Sequence, residues 1–123
     1  MNKKMGAERR QYPRIEQSLP LKIAANGYDF ATATQNISCV GAYCHLTRYI
    51  PPFTRVMVKL DLPSISDNAK TDRIVECKGV IVRTEDKEGG FNIAIFFNAI
   101  TESQRNKIAQ YVSQFLPHSP SGF

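Results

Sequence analysis

The sequence predicts a mostly β domain. Six short antiparallel strands, closed as a barrel or packed as two sheets, are followed by one C-terminal α-helix and preceded by a flexible N-terminal arm. Three observations carry this. Apolar and polar residues alternate with period two in successive short segments between residues 19 and 97. Turn signals, among them Asn26-Gly27, Pro51-Pro52 and Gly89-Gly90, punctuate those segments. From Thr101 onward the period becomes that of a helix. Strands this short and numerous bury an apolar face only against a second sheet or inside a closed barrel.

Residues 1–18 are polar, charged and aperiodic, and read as the arm. Leu19, Leu21, Ile23 and Ala25 alternate as a first strand, with Pro20 at its beginning or edge. Asn26-Gly27 favours the positive φ of a two-residue hairpin turn, and Tyr28–Gln35 returns as the second strand. Asn36–Gly41 reads as a turn and Ala42–Leu46 as a short third strand. Val56, Val58, Leu60 and Leu62 alternate with Arg55, Met57, Lys59 and Asp61 in the fourth. Pro63–Asp72 is loop-like. Ile74–Thr84 is the fifth strand, with Gly79 at a bulge. Glu85–Gly90 is a charged turn, and Phe91, Ile93, Ile95 and Phe97 face one way in the sixth strand. Thr101 and Gln104 fit a capping box. Ile108, Tyr111, Val112, Phe115 and Leu116 then form one helical stripe that Pro117 stops, and that stripe is expected to plug the barrel's open end or side. Phe96, on the opposite face of the sixth strand, is expected to lie under this helix; a contact with a partner or a second copy is the rival reading. The domain thus spans residues 19–116, with 117–123 as a disordered tail.

The length of 123 residues suits one domain. Hydrophobic content of 42% against 22% charged residues describes a globular chain and excludes a largely disordered or fibrous one. No apolar run approaches the ~18–20 residues of a membrane span. Lys3 and Lys4 are followed by no apolar stretch, so no secretory signal is read and a cytoplasmic protein is expected, without membrane insertion. The net charge is +5, and the first 14 residues hold most of it: Lys3, Lys4, Arg9, Arg10 and Arg14 against Glu8. The remaining residues are nearly neutral. A basic arm on a neutral body fits an anionic partner met at one place, or a solvated tail.

Cys39, Cys44 and Cys77 are an odd number without an export signal, so a disulfide framework is not expected. Cys39, Cys44 and His45 lack a second ligand pair for a metal, and His118 stands alone in the tail. Small buried thiols are the expectation, with no metal and no cofactor. No catalytic or nucleotide-phosphate motif is present, and no enzyme is expected.

Two segments stand out on this layout. Arg10 and Arg14 form R-x-x-x-R just ahead of the first strand. Asn36, Ser38 and Gly41 form [D/N]-x-S-x-x-G just after the second. Together they resemble the two signatures of the PilZ domain family, and the order of arm, six strands and helix over residues 8–116 resembles that family too. The resemblance implies a six-stranded antiparallel PilZ-type β-barrel and a stand-alone receptor for cyclic di-GMP. Arginine's planar fork suits both the phosphates and the O6/N7 edge of the guanines of that ligand. By the resemblance Arg10 and Arg14 take those roles. Asn36 meets the guanine edge, Ser38 offers a hydroxyl to phosphate or base, and Gly41 permits a positive-φ turn and close approach of ligand and backbone. Arg9 stands where the family's residue influences whether one ligand or an intercalated pair binds. Taken singly, these residues also fit solvated charge and turn chemistry.

The expected function is a cytoplasmic receptor or adaptor, monomeric or homodimeric. It would change its surface on binding cyclic di-GMP and so regulate an effector protein in motility, exopolysaccharide or virulence control. Two alternatives are a ligand-independent PilZ adaptor of type IV pilus assembly and a small-barrel nucleic-acid binder. Complete motifs weigh against the first. A near-neutral body without a basic, aromatic stripe weighs against the second, so no nucleic acid is expected.

Overall fold

A computed structural model describes residues 12–63 and 73–116. Arg9 and Arg10, most of the loop 63–72 and the tail 117–123 lie outside the described residues. Six strands follow in order: β1 Pro20–Ala25, β2 Tyr28–Ser38, β3 Gly41–Leu46, β4 Arg55–Asp61, β5 Ile74–Lys87 and β6 Gly90–Ala99; α1, Glu102–Ser113, ends the domain. All pairings are antiparallel and close a barrel in the order β1-β2-β3-β6-β5-β4, with β4 pairing back to β1. Of the two architectures that the strand pattern allowed, the closed barrel is the one formed.

Period-two alternation does the building. Leu21 and Ile23 on β1, Val56, Val58 and Leu60 on β4, and Ile93, Ile95 and Phe97 on β6 all point inward and are buried. Burying one such side chain stabilises by about 1.5–3 kcal/mol. The Asn26-Gly27 turn has φ of 54° and 83°, the twist-matched hairpin its sequence predicts. The bulge falls at Gly79, where the β5–β6 register skips between Lys78 and Val80. A Cβ there would stand 2.8 Å from the Ile95 side chain, so the missing methyl makes room for a core residue.

Two boundaries differ from the sequence pattern. β2 runs on through Asn36, Ile37 and Ser38, because Ile37 pairs with Ala42 and fills the core; the turn is only Cys39-Val40. β5 runs to Lys87, because Glu85 and Asp86 pair with Asn92 and Phe91, and the charged turn shrinks to Glu88-Gly89.

The helix begins at Thr101, whose side-chain oxygen accepts from the Gln104 amide at 3.1 Å. The reciprocal half of the capping box is not made: Gln104 Oε1 is buried without a hydrogen-bond partner among the described residues. Ile108, Tyr111 and Val112 form the buried face. That face packs on β2 and β5, strands that are not neighbours in the barrel, so the helix crosses its end as a plug. Phe115 lies past the last helical turn, half-exposed beside Tyr111. Phe96 is 46% exposed. The helix packs on β5 and β2, so the expectation that it covers Phe96 on β6 is not met. No described helix is long and apolar enough to cross a membrane.

Beyond β4, Leu62 donates its amide to Arg73 O, and Arg73 holds both carboxylate oxygens of Asp61 at 2.9 and 3.0 Å. Those hydrogen bonds hold the Asp61 carboxyl below its ordinary value. A depressed carboxyl contributes stability above its unfolded pKa of about 3.9, and that contribution is lost as pH falls through the folded value. Urea unfolding of the parent should therefore show a steeper loss of stability between about pH 5 and pH 2 than unfolding of Asp61→Asn.

Candidate functional site

The site is built where the arm meets β2. Ile15 exchanges two backbone hydrogen bonds with Ile37, each 3.0 Å, and its side chain is buried. Leu19 exchanges another pair with Thr34: the Thr34 amide donates to Leu19 O, and the Leu19 amide donates to Thr34 Oγ1, both at 2.9 Å. The Thr34 hydroxyl in turn donates to Gln17 O. The reading of residues 1–18 as one flexible arm therefore does not hold for its described part. Residues 15–19 are held to the barrel because Ile15 and Leu19 supply apolar anchors and Thr34 satisfies the backbone between them.

Pinning Ile15 aims Arg14 at the second motif. Arg14 Nη1 donates to Asn36 Oδ1 at 3.3 Å on an exposed face. The structure thus brings Arg14 and Asn36, 22 positions apart in sequence, into contact. Arg9 and Arg10 lie outside the described residues.

Ser38 and Gly41 take places other than those expected. Ser38 is fully buried, and its Oγ accepts from the Val40 amide at 3.2 Å. Its oxygen thereby helps to shape the turn. Gly41 is not among the residues with positive φ. What demands glycine is close approach: a Cβ there would meet Ile95 O at 2.5 Å. The turn is also tied to β6 by the Phe97 amide, which donates to Val40 O at 2.8 Å.

Sequence reasoning missed the rest of this face. Asn36, Tyr43, Ala94 and Arg83 stand in one cross-strand row over β2, β3, β6 and β5. The Tyr43 hydroxyl donates to Glu85 at 2.6 Å, which raises its pKa. Arg83 pairs with the same Glu85 at 3.3 Å and lies over the Tyr43 ring at 5.7 Å. The next row is Ser38, Gly41, Phe96 and Val80. No sequence signal marked Tyr43 or Arg83, because the rows exist only once the register is fixed.

Two features of this end are structural. The three cysteines are buried and free; burial pushes Cys44 up to about 12 and Cys77 to about 11, so neither is a thiolate near neutrality. Burial also raises Cys39, against the opposing charge of Arg105 on α1. A groove of about 500 Å³ exists on the outer surface around Ala24, Tyr28 and Met57, and none of the motif residues lines it. On the motif face the Arg14–Asn36 contact is solvent-exposed.

The sequence model of the PilZ domain matches residues 8–114, and the chain belongs to the PilZ domain family. That family is one of cyclic di-GMP-binding and adaptor domains, not of catalytic ones. No curated protein sequence matches the chain. Among solved structures, the fold is similar to that of the Bacillus subtilis inhibitor of motility MotI/DgrA, with TM-score 0.72, 20% identity and coverage of 88% of this chain. The match takes in 51% of that protein, so the chain spans about half its length. It is also similar to the PilZ domain of YcgR from Escherichia coli, solved with cyclic di-GMP, at TM-score 0.59 and 11% identity over 85% of this chain and 88% of that one. A third is PlzA of Borreliella burgdorferi in complex with cyclic di-GMP, at TM-score 0.51 and 9% identity, covering 86% of this chain and 54% of that one.

Because the obstacle at Gly41 is the backbone of β6, Gly41→Ala should lower stability by about 1–3 kcal/mol, the scale of overpacking. Equilibrium unfolding measures this. A variant as stable as the parent would show that the β3–β6 contact yields freely.

Proposed function

We propose that this protein is a cytoplasmic cyclic di-GMP receptor whose ligand-dependent surface regulates a partner protein. The observation that carries the reading is the contact of Arg14 with Asn36, which joins the two motifs on an open face. The likeness to two proteins solved with cyclic di-GMP, and to an inhibitor of motility, supports it.

In this reading Arg14 and Arg10 grip phosphate and the guanine O6/N7 edge, with Arg9 as a further cation. Asn36 exchanges hydrogen bonds with the guanine N1/N2 edge. Ser38 and Gly41 act by shape: one braces the turn and the other lets it lie against β6. In this reading residues 6–11 close on the ligand when it binds. Residues 15–19 already hold their place by backbone hydrogen bonds, so the change on binding begins N-terminal to them.

Calorimetric titration with cyclic di-GMP tests the reading. Arg10→Ala, Arg14→Ala and Asn36→Ala should each weaken binding by about 1.5–3 kcal/mol, the scale of a hydrogen bond to a charged group. Parental affinity in Arg10→Ala or Arg14→Ala would refute the site, and no binding by the parent would refute the function. Affinity should fall as salt rises, since exposed phosphate–arginine pairing is screened. Hydrogen exchange should show ligand-induced protection at residues 6–11 and 36–41, with little change at 56–62. Equal protection of residues 6–11 with and without ligand would remove the closing step.

A further inference from the structure

We propose that Phe96 is the platform on which a guanine of the ligand stacks; this rests on the cyclic di-GMP reading above. Phe96 is the register partner of Gly41, the last residue of the second motif, across the β3–β6 pair. Cross-strand partners share a face, and so do residues two apart along a strand. Phe96 and Asn36 are therefore on the same outer face, two strands and one row apart. Two strand spacings are about 10 Å. Gly41, the β3 residue in Phe96's own row, has no side chain to stand between a purine laid on the Phe96 ring and Asn36.

The ring is available for this. It is 46% exposed and not under the helix. Its neighbour Tyr43 is already covered by the Arg83 guanidinium. Phe96 takes part in no aromatic or cation–π pair among the described residues. A guanine offers a flat π-face to stack on it, while its edge carries the groups that Asn36 recognises. Stacking and edge recognition would then fall to different strands of one rigid sheet.

The chain contains no tryptophan, so Phe96→Trp introduces a single fluorophore at the proposed contact. Cyclic di-GMP should quench or shift that emission saturably, with a midpoint matching calorimetry. Phe96→Leu should bind about tenfold more weakly, as expected for loss of one base–aromatic stack, and its thermal midpoint should stay near the parent's. If Phe96→Leu binds as tightly as the parent, or the introduced indole does not respond while calorimetry reports binding, the platform is overturned. The cyclic di-GMP reading survives either result. A parent that binds no cyclic di-GMP overturns both. Should Phe96→Leu unfold, the indole response of Phe96→Trp still decides.

Discussion

The anchoring of residues 15–19 to β2 is what the site depends on. Ile15 buries its side chain and pairs its backbone with Ile37, whose own side chain is part of the core. The stretch before β1 is thereby fixed by the same burial that holds the barrel closed, and Arg14 needs no separate support. Thr34 completes the attachment from inside: nearly buried, it pairs with the backbone of both Gln17 and Leu19. Without that hydroxyl, buried backbone groups would lose partners, at a cost of the order of 1–3 kcal/mol each.

A second constraint is the tightness of β3 against β6. Gly41 has no room for a methyl group, and the Val40 carbonyl is held by Phe97. The motif turn is therefore part of the sheet rather than a loop above it. A rigid turn loses little conformational freedom when a ligand lands, which leaves more of each contact's free energy for affinity.

Most of the fold was legible because burial follows strand period. Leu21, Ile23, Val56, Val58, Leu60, Ile93 and Ile95 announce their direction by alternation alone. Strand ends were less legible. Asn36 and Ser38 have turn-forming side chains, yet Ile37 between them fills the core and keeps the segment extended. In the arm, Ile15 is one apolar residue among charges; its partner is a backbone 22 positions away, which no local pattern shows. The motif residues were legible as types and spacing, but not their division of labour. Burial alone tells that Ser38 is covered, and its oxygen is engaged in the turn. Phe96 was misplaced because the helix could have crossed either side of the barrel, and only its packing on β2 and β5 decides.

Closure of the barrel has a consequence for signalling. An open sheet offers a row of unpaired N–H and C=O groups that another protein can extend by adding a strand. Here β4 pairs back to β1, and each of the six strands has neighbours on both sides. Main-chain recognition along a strand edge is thus confined to stretches with one paired neighbour, such as Tyr28–Ala33 of β2 and Arg83–Lys87 of β5. Over the rest of the barrel wall recognition falls to side chains and their charges, which in the proposed receptor are also what an incoming dianion rearranges. In that proposed receptor, such a surface would distinguish occupied from vacant by chemistry rather than by the shape of the scaffold.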